Sequence, residues 1–113
     1  MKAIQTINFE IGDKIANGVI NCIKRNKFAA VTVNVLNAHG EIVITKRMDG
    51  CPPKGIPEFS LAKANTCFLI NMPSRTFRDV FTSSNNPKLF GSMTSCIDIS
   101  GGNMAPFPGG IIV

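Results

Sequence analysis

An α+β sandwich, an antiparallel sheet covered by helices, is the fold class this sequence predicts, and three observations predict it. Apolar residues recur at three- and four-residue steps after Asn8 and again after Pro57. Two runs rich in β-branched residues, Ala30 to Leu36 and Glu41 to Met48, flank a glycine-containing turn. The resulting order is helix, strand, strand, helix, helix, strands. The 113 residues leave room for one domain with a modest core, so residues 1–113 are expected to form a single domain.

Asn8 is suited to cap a helix that begins at Phe9. Glu10 and Asp13 then fall in the first turn, where the helix dipole favours anions. Ile11, Ile15, Val19, Cys22 and Ile23 supply its apolar side, and Lys24, Arg25 and Lys27 mark an end near Asn26. The two β-branched runs form a hairpin across Asn37-Ala38-His39-Gly40, with glycine in the turn. Prolines and glycines break regular structure from Asp49 to Gly55.

Pro57 suits the first turn of a second helix, from Glu58 to about Asn71, with Phe59, Ala62, Cys67, Leu69 and Ile70 as its buried side. Pro73 stops that helix, and Ser74 is placed to cap a shorter one from Arg75 to Phe81. After a polar loop over Ser83 to Pro87, Met93 to Ile99 and Met104 to Val113 read as strands separated by Gly101-Gly102.

Charged residues make up 17% of the chain, against roughly 25% in an average globular protein, so part of the surface is expected to be covered by another copy in a homo-oligomer. The net charge of +5 raises nucleic acid or an anionic membrane as partners. The cations are scattered, however, and there is no Tyr or Trp for base stacking, so neither partner is expected. Four cysteines without a CxxC pair lack the spacing of a zinc knuckle. The stretch from Met1 to Ile11 is too polar for a signal peptide, and no apolar run reaches the roughly 20 residues that cross a bilayer. A cytoplasmic protein with reduced thiols is the expectation.

Three motifs stand in a fixed order: Arg47-Met48-Asp49-Gly50, then Lys63-Ala64-x-Thr66, then Pro106-Phe107-Pro108-Gly109-Gly110. In this combination, and over nearly the whole length from Asn8 to Val113, the chain resembles the GlcG/HbpS-like haem-binding (haem-degrading domain) family. The same domain also forms the C-terminal part of PduO-type cobalamin adenosyltransferases. The resemblance implies a profilin-like or PAS-like α/β sandwich. Family members usually continue with a glycine-rich strand and a closing helix, so the fold is expected to lack the last strand and helix, as a C-terminally shortened domain.

It also implies haem as cofactor, or a related small anionic ligand, held by an oligomeric binding, storage or sensing module. Arg47 and Asp49 stand near a strand end, where a guanidinium clamps a carboxylate such as a haem propionate; alternatively Arg47 pairs with a local acid and Asp49-Gly50 shapes a turn. Lys63 and Thr66, three residues apart on one helical face, are placed to hold an anion together, or else Lys63 is solvated and Thr66 bonds back to its own helix. Gly109 and Gly110 either let a ligand approach backbone amides or simply make a turn. The iron-ligand candidates are His39, the only histidine, and Cys51, whose Cys51-Pro52 pair resembles the Cys-Pro motif of regulated haem binding, with Met48 and Met104 as thioether alternatives.

No hydrolytic triad, Walker loop or dinucleotide fingerprint is present, so binding is expected ahead of catalysis. Two other readings stand beside it. One is a small-metabolite or corrinoid-linked enzyme or accessory domain, and the other is a structural or non-functional truncated member.

Overall fold

The computed structural model describes residues 6–52, 56–82 and 87–113. The expected loops over Pro53 to Gly55 and Ser83 to Asn86 lie outside them. The elements run α1 (Phe9–Arg25), β1 (Thr32–Leu36), β2 (Ile42–Arg47), α2 (Ile56–Ile70), α3 (Ser74–Thr82) and α4 (Pro87–Ile99). Four helices and a two-stranded antiparallel sheet among the described residues make this an α+β chain. It divides into two compact units, Met1–Ser60 and Leu61–Val113, with α2 running through the boundary.

In the first unit, Asn8 Oδ1 accepts the Ile11 amide at 2.8 Å and so caps α1. The helix ends in a Schellman motif, the Phe28 amide reaching the Ile23 carbonyl and the Lys27 amide reaching that of Lys24. Lys27 occupies the left-handed position, at φ 55°, where glycine is usual.

The face that α1 buries matches the expected one only in part: Ile15 packs on the core and Cys22 and Ile23 are half-buried, but the centre of the face lies elsewhere. Gly12 and Ala16 are buried, whereas Ile11 and Val19 are 46% and 38% exposed. Small side chains let the helix approach the hairpin closely, and Ala16 packs in one cluster with Val33, Val35, Ile15, Ile20 and Ile44. Lys46 reinforces the contact by bonding Asp13 at 2.6 Å and Asn17 at 2.7 Å.

β1 and β2 pair in antiparallel register, Thr32 opposite Arg47 and Val35 opposite Ile44, with an irregularity between Val35 and Leu36. The turn closes through Gly40, at φ 77°, whose amide donates to the Asn37 carbonyl. On β1, Ser60 Oγ of α2 donates to the Thr32 carbonyl and accepts from Asn34 Nδ2.

In the second unit, Phe77 is fully buried at the centre of a cluster with Met93 and Met104, and its ring meets Phe81 edge-on at 5.3 Å. α2 buries Ala62, Thr66 and Cys67, while Phe59 and Leu69, expected inside, are about half exposed. Ser74 is the first residue of α3, and the Pro73 carbonyl receives the first helical hydrogen bond, from Phe77.

The two expected late strands are absent from the described residues. Met93 to Ile99 belongs to α4, because Met93, Cys96 and Ile97 fall on one helical side that packs at the Phe77 cluster. Pro87 opens the helix, and the exposed Ser92 and Thr94 hydroxyls bond back to its own carbonyls. Gly101 and Gly102, both at positive φ, close α4 with a second Schellman motif. Residues 103–113 are irregular, with Pro106 and Pro108 removing two ladder donors. The buried Ala105 and Gly110 amides bond instead to side chains of α2 and α3.

Candidate functional site

The three sequence motifs fall into two groups. Arg47, Asp49, Cys51 and His39 belong to the first unit, and Lys63, Thr66, Gly109 and Gly110 to the second.

Arg47 is exposed and forms no ion pair with Asp49. Its Nη2 donates to the carbonyls of Cys51 and Pro52, both at 3.3 Å, and thereby braces the loop that follows β2. Met48 to Cys51 forms a tight turn, with the Cys51 amide on the Met48 carbonyl and Gly50 at φ 79° in the third position, where a type II turn takes glycine. Asp49 lies exposed on that turn. Cys51 is buried, with Sγ 3.4 Å from Thr32 Oγ1. His39 is exposed at the hairpin tip, its backbone amide held by Asn37 Oδ1. Among the described residues no three of His, Cys, Asp and Glu converge as metal ligands.

The residues of the second group come together around one turn. The half-buried Lys63 side chain extends along Gly109, so that a Cβ placed on Gly109 would lie 3.4 Å from Lys63 Cδ and 3.5 Å from Nζ. Gly109 has φ 126°, a conformation open in practice only to glycine. Lys63 belongs to neither the Lys46–Asp13 nor the Arg78–Asp79 ion pair.

Thr66 is fully buried. Its hydroxyl donates to the Ala62 carbonyl at 2.8 Å and accepts the Ala105 amide at 2.9 Å. Gly110 presents both its polar groups to Ser74, the amide to Oγ at 2.9 Å and the carbonyl to the Ser74 amide at 3.1 Å. Thr66 and Gly110 thus hold the turn, while Lys63 and Gly109 form its outward side. Ser74 was expected only to cap a helix. Its partners lie 33 and 36 residues downstream, and nothing in the local sequence announces them. Burial raises the Cys67 thiol pKa above its ordinary value, the Ser74 backbone hydrogen bond pulling the other way.

A family model, "Haem degrading protein HbpS-like", matches the chain over residues 7–113, a span that includes the Arg-Met-Asp-Gly turn, the Lys-Ala-x-Thr helix and the Pro-Phe-Pro-Gly-Gly turn. The chain belongs to the HbpS-like family. No curated protein and no solved structure matches it. In this HbpS-like chain, then, the late Pro-Phe-Pro-Gly-Gly motif is a turn clasped by α2 and α3. No helix among the described residues is long and apolar enough to cross a membrane.

Proposed function

We propose that this HbpS-like protein binds haem, with the Lys63 and Gly109 side of the clasped turn receiving a propionate. The observation that carries the reading is the Lys63 ammonium lying over Gly109 in a turn that also exposes Phe107 and continues into exposed Ile111 and Ile112. A cation beside an apolar strip suits a ligand with a flat apolar body and carboxylates at one edge. When bound, haem supplies a redox-active iron. The chain's own residues supply the ammonium, the glycine that permits close approach and the apolar rim.

The iron-ligand candidates, His39 with its exposed imidazole and Cys51 with its buried thiol beside Thr32, belong to the other unit and are proposed separately from the Lys63 site. A homo-oligomer is part of the same proposal, supported by the low charge and by apolar side chains left exposed, Leu69, Ile99 and Ile112 among them. Titration of the purified chain with ferric haem tests the function. A saturable Soret shift, weakened in Lys63→Gln, supports it, and the absence of any shift refutes it. A shift that survives the double replacement of His39 and Cys51 removes both as ligands.

A further inference from the structure

We propose that Ser74 is a positioning residue of the Lys63 site, locking the Pro106 to Gly110 turn so that Gly109 stays beneath the lysine. The proposal rests on the haem-propionate reading for its binding consequence, but the lock itself stands on geometry alone.

Ser74 is fully buried and makes three hydrogen bonds to the turn. Its hydroxyl donates to the Phe107 carbonyl and accepts the Gly110 amide, and its own amide donates to the Gly110 carbonyl. The bonds straddle Gly109, anchoring the chain two residues before it and one after. Gly110 completes the lock through space. A Cβ there would lie 2.6 Å from the Lys63 carbonyl oxygen, 2.9 Å from Ser74 Oγ and 3.0 Å from Cys67 Sγ. The turn is therefore seated directly on the helical backbone that carries Lys63. With the hydroxyl removed, the buried Gly110 amide loses its acceptor, and the turn shifts to find water.

The test is a double-mutant cycle on the full chain with ferric haem as probe. Ser74→Ala is expected to weaken haem binding by about tenfold in the parent, and by less than about twofold in a Lys63→Gln background. Equal weakening in both backgrounds marks a merely structural role and overturns the proposal, as does an unchanged affinity in the parent.

Amide hydrogen exchange at Gly110 separates the two claims. The amide is expected to be protected in the parent and to lose that protection in Ser74→Ala while the Phe77 core amides keep theirs. If the parent binds no haem but Gly110 behaves so, the ligand reading fails and the lock stands. A Gly110 amide that exchanges equally in both proteins overturns the lock whatever haem does.

Discussion

Val43 packs against Gly12 so closely that a Cβ built on the glycine would lie 2.8 Å from Val43 Cγ1. This contact fixes how near α1 comes to β2, and it explains why the buried line of the helix runs through Gly12 and Ala16. A second glycine of the same helix, Gly18, has nothing within 4 Å of such a Cβ. The two make a matched pair. Gly18→Ala is expected to stabilise the chain by about 0.5–1 kcal/mol through helix propensity. Gly12→Ala gains the same propensity but incurs overpacking of about 1–3 kcal/mol, so it should fall below Gly18→Ala by more than about 1 kcal/mol in urea unfolding. Equal stabilities would contradict the close approach.

Lys27 holds the left-handed position of the first Schellman motif, a conformation that costs a non-glycine residue about 1 kcal/mol. Lys27→Gly should raise the thermal midpoint, and Lys27→Val should lower it. The ordering of the three midpoints by calorimetry is the check.

The Thr66 hydroxyl is the partner of the buried Ala105 amide. Thr66→Val keeps the shape and leaves that amide without an acceptor, at a cost of about 1–3 kcal/mol. Thr66→Ser keeps the hydrogen bond and loses one methyl, about 1 kcal/mol. Denaturant midpoints should therefore rank Thr66, then Ser, then Val. A valine variant as stable as the parent would show that Ala105 finds another acceptor.

Cys67 is a buried thiol with its pKa raised by desolvation above the ordinary value of 9.0. In the unfolded chain the thiol ionises at that ordinary value, while in the folded chain it remains neutral to higher pH. Its contribution to stability is thus fully present below pH 9 and is lost as pH rises through the raised folded value. Stability followed upward from pH 8 should decline less in Cys67→Ala than in the parent. Parallel declines would show that the thiol titrates alike in both states.

The parts of the fold written in neighbouring residues were legible in the sequence. Asn8 announces α1, Gly40 closes the hairpin, and Pro57 and Pro73 bracket α2, because each acts on a backbone within a few positions of itself. α4 was hidden because Met93 to Ile99 carries strand-like residues at a spacing that also serves a helix, and only Phe77 packed against it decides between them. At the site, Lys63, Thr66, Gly109 and Gly110 were each named as candidates from the family resemblance, but the approach of Lys63 to Gly109 was not foreseen. Nor were the internal commitments of Thr66, Ser74 and Gly110, since each depends on a partner more than 30 residues away. The Arg47 guanidinium likewise engages carbonyls of its own loop, a choice that charge alone could not foretell.

A crystal structure of the full chain soaked with ferric haem tests the central claim most directly. The account predicts a propionate oxygen within hydrogen-bond distance of Lys63 Nζ, above Gly109, with the Ser74 to Gly110 hydrogen bonds intact. Haem seated with both propionates away from Lys63, or no haem in crystals at saturating concentration, would contradict it.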